Sequence, residues 1–379
     1  MPVIYLDNAA TTPLDPAVRE AMEPYLTDQY GNPSSTHQMG RAARRAIERA
    51  REQVGEAIDA DPAEIVFTSG GTESDNAAIM GAAVANRKKG RHIVTTSIEH
   101  HAVLHTCEFL EKIGFSVTYV PPGENGIVSS EEVRKAIRPD TTVVSVMHVN
   151  NETGAIQPIE EIADICREQE ILFHTDAVQA VGLLPIRLKQ TKIDLLSLSA
   201  HKLHGPKGVG VLYVRRGIAW TPILHGGSQE RKKRAGTENV SGIVGLGAAM
   251  ERTMQQQTEH YKQIVTLRNR MLAVLTEELD DLQINSPEES VPSILSLSFP
   301  NVSAETLLMN LDMEGIAASS GSACTSGSLQ PSHVLMAMKR DENCVKSVIR
   351  FSFSNQNTVA EVETAARKTA AIVNRLRRK

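Results

Sequence analysis

The chain of 379 residues has few cysteines, few aromatic residues and no long apolar run. Its four cysteines, Cys107, Cys166, Cys324 and Cys344, form no CxxC pair, which argues against a disulfide framework or a zinc ribbon. No stretch of about 18 apolar residues is present, so we expect no membrane-spanning helix. The N-terminus lacks a basic segment followed by an apolar one, which predicts a cytoplasmic protein without a secretory signal.

An excess of charge of one sign is also missing, because 40 basic and 45 acidic side chains leave a net charge of −5. Such a balance gives no broad basic surface, so direct binding of nucleic acid is not expected. The basic C-terminal stretch RLRRK is interpreted as a helix end whose cations interact favourably with the helix dipole. With 41% hydrophobic and 22% charged residues the composition is globular, and the length predicts two domains.

Short apolar runs alternate with amphipathic segments through the first two-thirds of the chain. This alternation predicts an α/β fold, in which a mostly parallel sheet carries helices on both faces. The seven predicted strands are 64–68, 92–96, 116–120, 141–149, 171–175, 193–199 and 210–214. Helical patterns lie between most of them, near 75–89, 100–113, 131–138 and 159–169. We place a large domain at 15–256.

The pattern changes after residue 256 to that of a smaller α+β domain. A polar helix is predicted first, and two strands, two helices and one stretch of small residues follow it. In chain order these elements are 257–280, 293–299, 303–314, 318–328, 347–353 and 358–377. We expect the N-terminal residues to pack on this domain or at the domain junction, so the predicted small domain is 1–14 and 257–379.

Compact polar clusters follow five of the predicted strands of the large domain. In chain order they are SGGTESDN, SIEHH, NNETG, DAVQ and AHKLHGPKG, which follow 64–68, 92–96, 141–149, 171–175 and 193–199. Because ligands bind at the carboxyl ends of strands in open α/β sheets, we expect one site built from all five clusters.

Two of these clusters have both an ordinary and a functional explanation. In SGGTES, Gly70 and Gly71 let backbone N–H groups approach an anion, and Thr72 adds a hydroxyl group at a helix N-terminus. A glycine turn with Thr72 as the helix cap explains the same residues. Asp176 is either a helix cap or the carboxylate that keeps the ring nitrogen of a cofactor protonated.

Lys202 and His100 also lie in these polar clusters. Most lysines are solvated surface charges, but Lys202 directly follows an apolar strand, where partial burial would make its amine a nucleophile able to form a Schiff base. His101 and His105 lie four residues apart, as metal ligands on one helix face do. No HExxH pattern accompanies them, so no metal is expected, and stacking on a flat cofactor is the alternative role for His100.

Cys324 lies in a stretch of small residues, SSGSACTSGS (319–328). Small residues with two glycines predict a flexible loop, in which a thiol is not a core filler. Such a loop can carry the thiol between an active site and the surface. The alternative is a disordered loop that contains an incidental cysteine.

Ten segments together resemble the cysteine desulfurases, a family of fold-type I pyridoxal-phosphate transferases related to class V aminotransferases. They are YLDNAATTP (5–13), GNPSSTH (31–37), TSGGTES (68–74), EHHAVL (99–104), HVNNETG (148–154), DAVQ (176–179), SAHKLHGPKGVG (199–210), RAGTEN (234–239), SSGSACTSGS (319–328) and RFSF (350–353). They occur in the family's order and run almost from end to end. Cys324 matches the branch of the family with the longer, mobile loop.

The resemblance implies pyridoxal 5′-phosphate as the cofactor and assigns a role to each site residue. Lys202 would bind the cofactor covalently and transfer protons, and Cys324 and His100 complete the catalytic set. The residues expected to contact the cofactor are Lys202, Asp176, Gln179, Asn151, Gly71, Thr72, Ser199, His201, His100 and Thr237. Thr237 would reach in from a second subunit, which implies a homodimer. Arg350, Asn8 and Asn151 would bind the substrate.

The implied reaction takes sulfur from L-cysteine, releases L-alanine and leaves a persulfide on Cys324. The persulfide would pass to an acceptor protein for iron–sulfur cluster assembly or for tRNA thiolation. An aminotransferase, a selenocysteine lyase, an inactive scaffold protein and a metal hydrolase are the alternatives. Cys324 argues against the first two, and Lys202, Asp176, His100 and Cys324 together argue against the scaffold.

Overall fold

The computed structural model describes residues 3–321 and 331–378. Cys324 and most of the predicted loop 318–328 lie outside these ranges. The strands within them are β1 Ile4–Tyr5, β2 Ile65–Thr68, β3 His92–Thr96, β4 Ser116–Val120, β5 Thr141–Ser145, β6 Leu172–Asp176, β7 Leu195–Ser199, β8 Gly210–Val214, β9 Gln283–Ile284, β10 Ile294–Ser298, β11 Ile316–Ala317 and β12 Val348–Ser352. The α-helices are α1 Pro16–Met22, α2 Gln38–Ala57, α3 Gly71–Asn86, α4 His101–Lys112, α5 Ser130–Ala136, α6 Ile159–Glu168, α7 Val240–Glu278, α8 Ala304–Met313, α9 His333–Ala337, α10 Glu342–Lys346 and α11 Val359–Arg377.

The central sheet has seven strands in the order β2-β8-β7-β6-β5-β3-β4. All neighbouring strands are parallel except at β8, which is antiparallel to both β2 and β7. Every residue of β2, β3, β5, β7 and β8 is buried, as expected for a sheet covered on both faces. The predicted α/β fold with a mostly parallel seven-stranded sheet is confirmed.

Helix α6 shows how the covering helices form. Its buried residues Ile159, Ile162, Ala163 and Cys166 recur every three or four positions, which places them on one face of the helix. Glutamates in its first turn and Arg167 in its last turn match the polarity of the helix dipole. Each fully buried isoleucine contributes about 1.5–3 kcal/mol, so packing on the sheet stabilises the helix.

Helix α7 is longer than predicted, because it begins at Val240 and not near residue 257. The segment VSGIVGLG argues against a helix by propensity, since glycine is a poor helix former. Here the glycines permit close packing: a Cβ on Gly245 would lie 2.6 Å from Met22 Sδ, and one on Gly247 2.8 Å from Ala50 Cα. Although α7 has 39 residues, neither it nor another helix in the described ranges is apolar enough over a sufficient length to cross a bilayer.

A second group of elements surrounds the antiparallel sheet β12-β10-β9. Strand β1 pairs in parallel with β11, and Asp7 bridges to Ser352 at the end of β12. Leu6 therefore shares a core with Phe351 and with Val362 of α11. This agrees with the expected packing of the N-terminal residues, while the division into domains 15–256 and 1–14 with 257–379 stays a prediction.

Candidate active site

The five polar clusters that follow the strands meet around one cavity of about 270 Å³. The carboxyl ends of β2, β3, β5, β6 and β7 lie at the same edge of the sheet, because these strands run in one direction. The predicted site residues that line the cavity are Gly71, Thr72, His100, Asn151, Asp176, Gln179, Ser199, His201, Lys202 and Arg350. The expectation that five strand ends build one site is therefore met.

Three predicted site residues are not among those lining this cavity. Asn8 lies in the wall of a neighbouring cavity, and its amide group donates to the carbonyl oxygen of Ser352 at 2.9 Å. Thr237 is exposed. Cys324 lies outside the described residues, but Gly321, three positions before it in the sequence, lines the cavity.

The N-terminus of helix α3 forms one wall of the cavity. Gly70 has a φ of +152°, which few other residues adopt, and the helix begins at Gly71. A Cβ on Gly71 would lie 3.0 Å from Val178 Cγ2, so glycine allows Val178 to approach the helix end, and 3.7 Å from Ser199 Cβ, which is an ordinary contact. Because the first N–H groups of a helix have no partner within it, this wall suits a phosphate group.

Asp176 is the last residue of β6 and is 6% exposed. Its Oδ1 accepts a hydrogen bond from the Val178 N–H at 2.9 Å, so the carboxylate caps the following turn and also lines the cavity. Burial raises the pKa of Asp176 to about 6, although the Val178 N–H and the positive charge of Lys202 act in the opposite direction. A cationic group in the cavity would favour its charged form further.

Lys202 follows β7 directly, in a short 3₁₀ turn that spans Ala200–Lys202. Its Nζ donates hydrogen bonds to the carbonyl oxygens of Ala9 and Ala10, the latter at 2.7 Å. The chain turns sharply here, since a Cβ on Gly205 would lie 2.8 Å from the Ala200 oxygen. The amine is half-buried and lines the cavity, as expected for a lysine with a function other than surface solvation.

His100 precedes α4, and its Nδ1 accepts a hydrogen bond from the Ala102 N–H at 3.1 Å. The proton of the neutral ring must then be on Nε2. Burial, followed by the positive charge of Lys202, lowers the pKa of His100 to about 4, so the ring is neutral at pH 7. The rings of His101 and His105 stack at 5.1 Å, yet no group of three or more potential ligands in the described ranges could hold a metal ion.

Two amide side chains lie on the side of the cavity near the N-terminal segment. Gln179 Nε2 donates to the Ala9 carbonyl oxygen at 2.9 Å, the same oxygen that accepts from Lys202. Asn151 Oδ1 is buried and has no hydrogen-bond partner among the described residues. A buried polar atom of this kind needs a partner, so Asn151 points to a ligand in the cavity.

Arg350, on β12, brings a guanidinium group into the cavity and is only 4% exposed. Its NH1 donates to the Asn151 carbonyl oxygen at 2.7 Å, and its NH2 donates to Asp7 Oδ1 at 2.9 Å. Its backbone pairs in both directions with Ser319, in the segment that leads to Gly321. Buried Nε has no partner among the described residues, so a donor is left for an anion.

Comparison with known proteins agrees with this geometry. A model of the aminotransferase class-V family matches residues 4–364. The putative cysteine desulfurase IscS 1 of Bacillus subtilis (strain 168) is 52% identical over 375 residues, which cover 98% of this chain and 99% of the relative. The cysteine desulfurase IscS of Methanosarcina thermophila is 49% identical over 375 residues, with coverages of 99% and 93%. The chain belongs to the cysteine desulfurase family.

Solved structures match the fold over nearly the whole chain. A chain described as a NifS-like protein has a TM-score of 0.93 and 42% identity, and covers 99% of this chain and 100% of its own. SspA in complex with cysteine has a TM-score of 0.84 and 38% identity, with coverages of 93% and 99%. The fold is thus that of the fold-type I transferases, and the cofactor is pyridoxal 5′-phosphate.

The residues around the cavity fit this cofactor. The cavity joins a helix N-terminus with nearby hydroxyl groups, a buried carboxylate and a lysine amine, which are the donors and acceptors that a phosphorylated pyridine aldehyde needs. The buried Asn151 oxygen without a partner is a further sign of a missing polar ligand.

The sequence assigned no individual role to two carboxylates of the site. Asp7 was quoted only as part of a motif, and its pairing with Arg350 depends on a contact between the two ends of the chain. Asp75 is buried inside helix α3, yet it lines the cavity. An acidic residue within an otherwise apolar helix face is the signal that would have found it.

Proposed function

We propose that this chain uses pyridoxal 5′-phosphate to remove sulfur from L-cysteine, releasing L-alanine and leaving a persulfide on Cys324. The observation that carries this proposal is the convergence of Lys202, Asp176, His100 and Arg350 on one cavity that Gly321 also lines. Membership of the cysteine desulfurase family supports the same reaction.

Lys202 would transfer protons, and Asp176 would stabilise positive charge on the cofactor ring. When bound, the cofactor supplies an electron-withdrawing ring that accepts the electron pair released when the Cα–H bond of the substrate breaks. Asp176, as a carboxylate, would hold a proton on the ring nitrogen. Lys202 would attach the cofactor through Nζ and, once displaced by the substrate amine, would take the α-proton with the same atom.

The remaining polar groups would orient the cofactor. Its phosphate would lie at the N-terminus of α3, where Thr72, Ser199 and His201 add donors to the backbone of Gly71. The neutral ring of His100 would stack on the pyridine. Asn151 and Gln179 would contact the phenolic oxygen of the cofactor through their amide groups.

Arg350 would bind the substrate carboxylate through donors that Asp7 and the Asn151 carbonyl group leave available. Asn8 is proposed as a substrate contact by resemblance, and its amide ties the N-terminal segment to β12 near Arg350. The thiolate of Cys324 would attack the substrate sulfur, so that the C–S bond breaks as the S–S bond forms. An iron–sulfur scaffold or a tRNA-thiolation enzyme would then accept the sulfur.

Two copies of the chain would form the working enzyme in the cytoplasm. Thr237 is exposed and is not among the residues that line its own chain's cavity, which supports a role in the site of a second subunit. The exposed side chains of Leu26 and Tyr30, 64% and 78% accessible, supply apolar area for such an interface. Sedimentation of the holoenzyme at two subunit masses is expected, and a monomer with full activity would contradict the dimer.

The Cys324→Ala variant tests the reaction. Wild type and variant should both show the visible absorption of the bound cofactor, but only wild type should form alanine and sulfide from L-cysteine with a reductant present. Cys344→Ser is the matched control, because Cys344 is a buried thiol that is hydrogen-bonded to Ser298 and Asn285 and has no proposed role in the reaction.

Each outcome of this test separates one alternative. Sulfide release by Cys324→Ala at the wild-type rate would indicate a lyase that needs no protein thiol. Absence of the absorption band in wild type would show that no pyridoxal phosphate is bound, which would contradict the proposed reaction.

A further inference from the structure

Asp75 is a buried carboxyl group for which the proposed reaction has no use. It lies in the second turn of α3, is 1% exposed and lines the same cavity as Asp176 and Lys202. Its Oδ1 has no hydrogen-bond partner among the described residues. An ionised carboxylate in such a position would be costly unless a cation lay against it.

In the described ranges, the groups that act on Asp75 come from β6, β7 and the segment before α4, and Lys202 shares the cavity with it. His174 of β6 is a basic group beside it, with Nε2 3.7 Å from Asp75 Oδ1. That ring already shares its nitrogens with the hydroxyl groups of Ser145 at 2.8 Å and Ser197 at 3.0 Å. Burial lowers the pKa of His174 to about 3, so the ring is neutral.

The charged groups that act on Asp75 are acidic. Burial, followed by the negative charge of Asp176, raises the pKa of Asp75 well above its ordinary value; the Ser197 hydroxyl opposes this shift and Glu99 adds to it. Burial also raises the pKa of Glu99 to about 8, so Glu99 is protonated at neutral pH. Lys202, by contrast, lowers the pKa of Asp176 and stabilises its charge.

We propose that Asp75 is a positioning residue that remains protonated beside Asp176, so that the single negative charge of this part of the site stays on Asp176. Two buried carboxyl groups that line one cavity do not readily both ionise, and one of them keeps the proton. If Asp75 were the ionised member, Asp176 would carry the proton and could not hold one on the ring nitrogen. This inference rests on the role proposed for Asp176.

The Asp75→Asn variant separates a neutral from an ionised Asp75. Asparagine matches the shape of a protonated carboxyl group, so the variant should bind pyridoxal phosphate within about threefold of wild type at neutral pH. The infrared spectrum of the apoprotein should lose a carbonyl band of a protonated carboxylic acid. Asp312→Asn, which changes an exposed carboxylate, is the matched control and should lose only carboxylate bands.

A pH titration gives a second measurement that does not need Asp75→Asn to fold. In wild type the protonated-acid band should persist through neutral pH and disappear on alkaline titration. In Asp176→Asn it should disappear at a lower pH, because the negative neighbour is gone. Glu99→Gln assigns the band that belongs to Glu99.

Two results would overturn the inference. One is a wild-type apoprotein at pH 7 whose protonated-acid bands are unchanged by Asp75→Asn. The other is a cofactor affinity at least about tenfold weaker in Asp75→Asn than in Asp312→Asn, since Asp75 would then act as a carboxylate. If Asp176→Asn binds the cofactor as wild type does, the role of Asp176 in the proposed function fails instead. The infrared bands of Asp75→Asn still show in that case whether Asp75 is protonated.

Discussion

Replacement of Arg350 with lysine tests whether this side chain recognises the substrate carboxylate. Lysine keeps the positive charge but presents one ammonium group in place of a planar fork of five N–H donors. In the structure two of those donors are used, by Asp7 and by the Asn151 carbonyl group. The substrate would use donors that remain, and a lysine cannot serve all three acceptors in the same geometry.

The expected loss follows from these contacts. A hydrogen bond to a charged group contributes about 1.5–3 kcal/mol, and losing one of them to the substrate corresponds to a roughly 10- to 150-fold weaker interaction. If chemistry is slow relative to cysteine release, KM for L-cysteine should rise by about this factor, while kcat changes less. The visible absorption of the cofactor should be unaffected.

The assay is alanine formation against L-cysteine concentration, with a reductant present. Arg367→Lys is the matched control, because Arg367 forms a surface ion pair with Glu278 and is 59% exposed. Such pairs contribute about 0–1 kcal/mol, so its kinetic constants should equal those of wild type. A KM for Arg350→Lys within twofold of the control, with the cofactor retained, would refute the assignment.

Three further predictions concern the folded state. Burial raises the pKa of Asp176 to about 6 from an ordinary value of about 3.9, so the apoprotein should lose about 3 kcal/mol of unfolding free energy as pH rises through this window. Asp176→Asn should lack this loss when urea unfolding is compared at pH 4 and pH 7, and an equal loss in wild type and variant would contradict it. Glu230→Gln breaks a bidentate pair with buried Arg51 and should cost about 3–5 kcal/mol, against about 1 kcal/mol or less for Glu131→Gln, whose pair with Arg134 is exposed. Gly247→Ala places a Cβ 2.8 Å from Ala50 Cα and should destabilise by about 1–3 kcal/mol; an unchanged urea midpoint would show that α2 and α7 can separate without cost.

The central strands could be predicted from sequence because they are nearly continuous apolar runs. Strands 92–96, 116–120 and 210–214 have the predicted bounds. The predicted strand 141–149 ends at Ser145 as β5, but Val146 and His148 still donate to the backbone of β6. The backbone hydrogen bonds to β6 and the apolar side-chain pattern therefore continue past Ser145, where the regular strand ends.

Helix positions were predicted less well where packing outweighs propensity. Gly245 and Gly247 lie within α7 because neighbouring residues occupy the space of a side chain there. Helices α1 and α2 were not identified, although α2 buries Ala43, Ile47, Ala50 and Val54 at helical spacing. That pattern was present in the sequence, whereas the contact of α7 with α2 exists only in three dimensions.

Some site residues could likewise be predicted from the sequence, whereas others depend on contacts that exist only in three dimensions. Side chains at strand ends could be predicted, since the topology alone places them at one edge. The pairing of Asp7 with Arg350 could not, because it is a contact across 343 positions, and Asp75 entered the prediction only as a member of the cluster SGGTESDN. The roles of Asn8 and Thr237 stay predictions that rest on resemblance.

The division of labour between the two sheets explains how one fold can serve several reactions. The central sheet carries the groups proposed to hold the cofactor, since Asp176, Ser199 and Lys202 end β6 and β7 or follow them. Arg350, proposed to bind the substrate, comes from the antiparallel sheet, and its backbone is paired with Ser319, five positions before Cys324. Changes in that second sheet would alter the choice of substrate and nucleophile without disturbing the cofactor, as expected when function is carried by a site on a shared fold.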